Sequence, residues 1–190
     1  MYLFLSFIGR FFMWITGWKT EGKPYNEIKK KLFVVFPHTS NWDYPIGLMV
    51  KFALKMRLNY LGKNTLFRPP FGWFFKAMGG MPVDRSKHNR MVDAIIQLFN
   101  EQDKLSLVIT PEGTRKKVDQ LKKGFYHIAN GAQVPIIFVS FDFKTKTMGF
   151  KEPYHVSGDY VKDMQEILGF FEGVEGKIEA YNSLPDLVLE

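Results

Sequence analysis

Short apolar runs alternate along the chain with segments whose apolar residues recur at helical spacing. Strands that are apolar throughout are buried on both faces, as in parallel sheets covered by helices. We therefore predict a single α/β domain with a mostly parallel, mixed sheet flanked by helices. The predicted strands are residues 32–36, 58–61, 105–109 and 134–141, and the predicted helices are residues 45–57, 71–78, 89–100, 121–129 and 159–171.

The first 18 residues are strongly apolar and are interrupted by Arg10. On a helix, Ser6, Arg10 and Gly17 lie near one stripe and apolar residues fill the rest. Such a helix is ~27 Å long, just short of a hydrocarbon core. The segment lacks the positively charged leading region and the small-residue cleavage site of a secretory signal. We predict a membrane-associating helix over 1–20 and one domain over 21–190, the alternative being a helix packed into the core.

Several side chains near this segment suit a lipid interface. Trp14 and Trp18 are expected at headgroup level. Lys19, Lys23 and the run 29–31 are expected to face anionic lipid.

Charge and cysteine content narrow the classes of partner and of chemistry. The 190-residue chain carries a net charge of +7, which favours phosphate-bearing partners such as anionic lipid, nucleic acid or a phosphorylated small molecule. No nucleic-acid motif is recognisable, so we predict no nucleic-acid partner. The absence of cysteine excludes thiolate metal sites, disulfides and cysteine nucleophiles.

His38 and Asp43 follow the first predicted strand and form the first candidate catalytic pair. A neutral imidazole can act as a base near neutral pH, and a carboxylate on its other nitrogen fixes the tautomer. A turn between the two residues would bring their side chains together. The alternative is that Ser40 and Asp43 form a helix capping box, in which Asp43 only caps.

Two other kinds of active site are disfavoured. A serine hydrolase would need a G-x-S-x-G elbow, which is absent, and Ser40 is only two residues from His38. A zinc site would need ligand spacing that the other histidines lack, so we predict no metal. Those histidines are His88, His127 and His155.

Three segments of the chain carry groups that bind anions. Glu112, Gly113, Thr114 and Arg115 form one turn, in which glycine allows close backbone approach and the guanidinium can hold a phosphate. Arg85 and Lys63 are two more candidate substrate ligands. The alternatives are a local Glu112–Arg115 ion pair and an Asp84–Arg85 pair.

Together these segments resemble the glycerol-phosphate and lysophospholipid acyltransferase family. Its signature is H-x4-D, then G-x-x-F/P-I/V-x-R, then E-G-T-R, then a V-P-I strand. The matching positions, in order, are His38 with Asp43, Gly79 to Arg85, Glu112 to Arg115, and Val134 to Ile136. Pro82 replaces a common Phe, and Phe138 replaces a common second Pro.

The resemblance implies direct acyl transfer without an acyl-enzyme. His38 would be the general base and Asp43 would orient it. Arg85 and Arg115 would hold the phosphate of a lysophospholipid acceptor, most simply 1-acylglycerol-3-phosphate, and residues 112–114 would shape the acceptor site. Acyl-CoA or acyl carrier protein would be the co-substrate, with no other cofactor.

The resemblance also implies a role in phospholipid biosynthesis, with membrane lipid as a partner. The lack of cysteine favours a site on the cytoplasmic face of the membrane, since the chain gains nothing from an oxidising compartment. Two alternatives stay open. One is the same chemistry on another lysolipid, such as a lyso-aminolipid. The other is a non-catalytic, membrane lipid-binding protein.

Overall fold

A seven-stranded sheet forms the centre of the molecule. The computed structural model describes residues 2–83, 88–184 and 187. The strand order is β1-β7-β6-β2-β5-β3-β4, and every neighbouring pair is parallel except β6 and β7. The predicted α/β fold is therefore confirmed. The strands are β1 (Lys19–Glu21), β2 (Lys30–Phe36), β3 (Asn59–Lys63), β4 (Gly80–Val83), β5 (Leu105–Ile109), β6 (Ile136–Asp142) and β7 (Thr147–Phe150).

Helices cover both faces of this sheet. They are α1 (Tyr2–Thr16), α2 (Asp43–Ala53), α3 (Gly72–Ala77), α4 (His88–Glu101), α5 (Gly124–Ala132) and α6 (Tyr160–Leu168). Three short 3-10 helices complete the described elements: Asn64–Phe67, Gly169–Phe171 and Glu179–Tyr181.

Alternate residues of the central strands belong to two separate hydrophobic cores, one on each face of the sheet. Leu32 and Val34 of β2 point to one face, where they join apolar residues of α4, α5 and α6. Phe33 points to the other face, where it joins Val50 of α2. Burial on both sides explains why β2 and β6 are apolar nearly throughout. Phe138, which replaces a common proline, is 1% exposed and packs on Phe125 and Phe171 in the first core.

The sequence pattern missed three strands, β1, β4 and β7. Each is only three or four residues long. β1 is Lys-Thr-Glu and has no apolar pattern, while β4 and β7 each contain a glycine. β4 also contains Pro82, which a sheet tolerates there because β4 is an edge strand.

The carboxyl ends of four parallel strands lie side by side along one end of the sheet. β2, β5, β3 and β4 are consecutive neighbours and run in the same direction. His38 follows β2, Glu112 follows β5, and Lys63 ends β3. Ligands of open α/β sheets characteristically bind beyond such ends. The topology thus brings separate parts of the sequence motifs to one side of the molecule.

Helix α1 packs on α2 through its small and polar residues. A Cβ at Gly9 would lie 2.6 Å from the Ala53 backbone nitrogen, so only glycine allows this approach. The buried Ser6 hydroxyl donates to the Ala53 carbonyl at 3.1 Å. The large apolar side chains consequently point away from the protein. Those exposed are Leu3, Phe4, Phe7, Phe11, Phe12, Trp14 and Ile15.

Two predictions about this region are wrong. Trp18 is 7% exposed and packs edge-on against Phe141 and Phe143, because the chain has already entered the sheet at that point. Lys31 is 3% exposed and donates to the Ile28 carbonyl at 2.7 Å, so it does not face solvent. Among the helices of the described residues, none has the length and hydropathy needed to cross a membrane.

Candidate active site

The imidazole of His38 is bound directly to the carboxylate of Asp43. Nδ1 of His38 lies 2.6 Å from Oδ2 of Asp43. The Asp43 side chain is 5% exposed, whereas that of His38 is 20% exposed. With Nδ1 donating to the carboxylate, Nε2 is left as the unprotonated nitrogen and proton acceptor. The pair thus has the geometry of a base held in one tautomer by a buried acid.

Asp43 also supports the turn that begins α2. Its Oδ2 accepts the backbone N–H of Ser40 at 3.2 Å, while the Ser40 hydroxyl accepts the N–H of Trp42. Only one of the two bonds of a capping box is formed, because the Asp43 N–H donates to the Ser40 carbonyl and not to the Ser40 hydroxyl. Capping and orientation of His38 are therefore served by the same carboxylate oxygen, and the two interpretations of Asp43 do not exclude each other.

Glu112 lies buried beside His38. Its side chain is 1% exposed, and its Oε2 accepts the backbone N–H of His38 at 2.7 Å. This bond joins the loop after β2 to the loop after β5. The alternative local ion pair with Arg115 is not formed, because Glu112 is buried and Arg115 is exposed.

The pKa of Glu112 is raised to about 8. The main cause is burial, which disfavours the carboxylate, and the nearby negative charge of Asp43 acts in the same direction. The His38 N–H and the hydroxyl of Ser183 oppose this rise because both interact with the charged form. Near neutral pH, Glu112 is thus mostly uncharged while it holds the His38 backbone.

Titration of Glu112 should make the protein less stable as the pH rises. The pKa moves from 4.5 to about 8 on folding, so between these values the unfolded chain releases a proton that the folded protein keeps. Stability from this group is complete below about pH 4.5 and is lost as the pH rises through about 8, by up to a few kcal/mol. Glu112→Gln should remove this dependence, which urea unfolding at several pH values measures. Equal pH slopes in both proteins would contradict the assignment.

The remaining residues of the E-G-T-R turn lie at the surface. Gly113 has a φ of 65°, which favours glycine. The Thr114 hydroxyl accepts the Lys116 N–H at 3.3 Å, and the Arg115 side chain is exposed. Lys63 is also exposed, at the end of β3. Arg85, like Asp84, lies outside the described residues.

Lys122 is a further cation at this turn that the sequence did not single out. Its backbone N–H donates to the Pro111 carbonyl at 2.9 Å. Its ammonium lies 2.7 Å from the position that a Cβ on Gly113 would occupy. The ammonium therefore lies directly against Gly113. Its only sequence signal is a Lys-Lys pair preceding a helix, which is too common to indicate a site.

Within the described ranges, no three His, Asp or Glu side chains are grouped so that they could hold one metal ion.

Comparisons with known proteins show the family of this chain. The sequence model of the acyltransferase family matches residues 18–142. The 1-acyl-sn-glycerol-3-phosphate acyltransferase of Cocos nucifera is 32% identical over 136 residues, which cover 68% of this chain and 43% of that protein. The enzyme of the same name from Saccharomyces cerevisiae is 31% identical over 126 residues, covering 59% and 39%. The chain thus spans about two fifths of the length of these relatives.

A solved structure extends the likeness to the fold. The crystal structure of PlsC, the 1-acyl-sn-glycerophosphate acyltransferase from Thermotoga maritima, superposes with a TM-score of 0.59 at 18% identity. The likeness covers 87% of this chain and 76% of that one. The matched family region contains both His38 and Asp43 and the whole E-G-T-R turn. The chain therefore belongs to the acyltransferase family, among members resembling the 1-acylglycerol-3-phosphate acyltransferases.

Proposed function

We propose that this protein transfers a fatty acyl group from a thioester to a hydroxyl of a lysophospholipid, with 1-acylglycerol-3-phosphate as the acceptor. The observation that carries the proposal is the 2.6 Å contact between His38 and the buried Asp43. A base prepared in this way activates a hydroxyl, and exposed cations on the neighbouring turn suit a phosphate.

The proposed reaction needs no covalent enzyme intermediate. Nε2 of His38 accepts the proton of the acceptor hydroxyl while the hydroxyl oxygen attacks the thioester carbonyl carbon. The new C–O bond produces a tetrahedral oxyanion, whose collapse breaks the C–S bond. The imidazolium then returns its proton to the leaving thiolate. Asp43 stabilises the imidazolium formed between these two steps.

The backbone amides close to His38 are largely engaged in the fold. The N–H of His38 donates to Glu112, that of Ser40 to Asp43, and that of Trp42 to Ser40. These three amides are therefore not free to stabilise the oxyanion. In the proposed mechanism a basic side chain supplies this stabilisation, in line with the electrostatic demands of acyl transfer.

The acyl donor in this proposal is acyl-CoA or acyl carrier protein, and the reaction belongs to phospholipid biosynthesis at the cytoplasmic face of a membrane. The support is chemical. Both donors are thioesters, and the net charge of +7 suits a surface rich in anionic lipid. The outward apolar face of α1 suits an interfacial helix.

The test is release of free thiol from an acyl thioester, with and without 1-acylglycerol-3-phosphate. Release that depends on the acceptor supports the proposal. Release with another lysolipid, such as a lyso-aminolipid, would keep the chemistry and change the acceptor. No release with any acceptor, from either acyl-CoA or acyl carrier protein, would favour the lipid-binding alternative.

Removing a cation from the E-G-T-R turn should weaken acceptor binding. Arg115→Ala and Lys122→Ala are each expected to raise the KM for the phosphate-bearing acceptor by about tenfold, as loss of one charge-assisted contact implies. The value of kcat should change less. Lys123→Ala is the matched control, because the Lys123 ammonium lies 4.9 Å over the Tyr160 ring. An equal rise in KM for the control would indicate general electrostatic attraction instead.

A charge on the outward face of α1 should release the protein from membranes. Phe7 is 71% exposed, and Phe7→Glu should lower binding to vesicles containing anionic lipid by about tenfold or more, since a buried aromatic contributes ~1.5–3 kcal/mol. Cosedimentation measures this. Phe7→Leu, which keeps an apolar side chain, should bind nearly as well as wild type. Unchanged binding of Phe7→Glu would place the lipid contact elsewhere.

A further inference from the structure

A segment beyond the matched family region runs against the candidate active site. Residues 174–183, here called the C-terminal segment, follow α6 and the 3-10 helix that extends it. The family match ends at residue 142. The backbone N–H of Ile178 donates to the hydroxyl of Thr39 at 3.2 Å. Thr39 is 1% exposed and directly follows His38, so the segment touches the loop that carries the base.

Gly176 lies directly against the side chain of Thr39. A Cβ built on Gly176 would lie 2.6 Å from both Cγ2 and Oγ1 of Thr39. Real Cβ atoms do not approach other heavy atoms so closely. Any side chain at this position would therefore push the His38 loop and the C-terminal segment apart.

The same segment reaches the second loop of the site through Ser183. Ser183 is fully buried, and its hydroxyl accepts the backbone N–H of Val118 at 3.0 Å. Ser183 thereby contacts the loop after β5, where Glu112 holds the His38 backbone.

Other contacts fix the segment in place. The Phe143 N–H donates to the Glu175 carbonyl at 2.8 Å, and the Asn182 side chain donates to the Val174 carbonyl at 3.0 Å. The ammonium of Lys177 lies 5.5 Å from the ring centre of Trp42, within the loop between His38 and Asp43. The segment is thus bound to the residue that follows β6 and to itself, as well as to the site.

We propose that Gly176 and Ser183 are positioning residues. Through them the C-terminal segment fixes the loop after β2, which carries His38, relative to the loop after β5, which carries Glu112. The inference rests on the proposed acyltransferase function. The two loops follow different strands, and a shift of either would move Nε2 relative to the bound acceptor. A misplacement of about 1 Å can lower turnover by about a hundredfold.

The test compares Gly176→Ala and Ser183→Ala with Gly169→Ala. A Cβ at Gly169 would meet nothing within 4 Å, so this variant adds the same methyl group in open space. We expect Gly176→Ala to lower kcat by about tenfold to a hundredfold, and Ser183→Ala by about tenfold, with smaller changes in KM. Gly169→Ala should match wild type. Ser183→Ala only removes an oxygen, so it covers the case in which Gly176→Ala does not fold.

A second readout does not depend on turnover. The imidazole NMR signals of His38, assigned by their loss in His38→Ala, should shift in Gly176→Ala and Ser183→Ala but not in Gly169→Ala. Variants that keep wild-type kcat and wild-type His38 signals would overturn the inference. A wild-type protein inactive with every acceptor and donor, but with shifted His38 signals in these variants, would overturn the proposed function and leave the positioning role standing.

Discussion

Replacing His38 with alanine should lower acyl transfer by about 10²–10⁴-fold, the contribution typical of a general base. The side chain supplies the nitrogen that removes the proton from the acceptor, and within the described site Asp43 already binds the other ring nitrogen. Because its loss leaves the buried Asp43 carboxylate without its imidazole partner, the free energy of unfolding should fall by about 1–3 kcal/mol while the domain stays folded. Initial rates of thiol release and urea unfolding measure the two effects.

His127→Ala is the matched control for this variant. His127 lies exposed on α5, with its ring against that of Tyr126. It should keep full activity. Thiol release that persists at the wild-type rate in His38→Ala would remove the imidazole from the mechanism, even if transfer to the lysophospholipid were real.

The central part of the fold was predictable because its strands are buried on both faces. Such strands appear in the sequence as continuous apolar runs, as in residues 32–36 and 105–109. The short edge strands leave no such signal, and β1 pairs through its backbone alone despite its polar sequence. Pairing of an edge strand depends on the free backbone N–H and C=O groups of the neighbouring strand. The sequence of the edge strand alone does not reveal whether such a neighbour exists.

The candidate site was predictable where its residues are close in sequence. The spacing of His38 and Asp43 suffices for a contact across a turn. The burial of Glu112 beside His38 was not predictable, because it depends on the packing of two loops 74 residues apart. The position of Ser183 against the loop after β5 follows from similar long-range packing. Side chains that act through another residue leave little trace in a single sequence.

The outward direction of the apolar residues of α1 also needed the tertiary structure. The sequence placed Ser6 and Arg10 on one stripe, and an isolated amphipathic helix in solution would turn that stripe to water. Here the stripe packs on α2, where Ser6 and Gly9 permit close approach. The largest apolar side chains are left outside, which is the arrangement that suits a lipid interface.

Replacing Asp43 with asparagine should lower kcat by about 10²–10³-fold while changing stability by about 1 kcal/mol or less. Asparagine keeps one oxygen that can accept the Ser40 N–H, so the turn before α2 is preserved. It removes the negative charge that stabilises the imidazolium, while the same oxygen can still accept from Nδ1 and hold the tautomer. Acceptor KM should change little, because the carboxylate is buried behind His38.

Ser40→Ala weakens the turn before α2 without changing either bond of Asp43. It removes the hydroxyl that accepts the Trp42 N–H but leaves the His38–Asp43 contact intact. If orientation of the base dominates, Ser40→Ala should lose stability and keep most of its kcat, the reverse of Asp43→Asn. If both variants instead lose activity in proportion to stability, the carboxylate acts chiefly as a cap. In that case the 2.6 Å contact with His38 would be a structural bond and not the catalytic one.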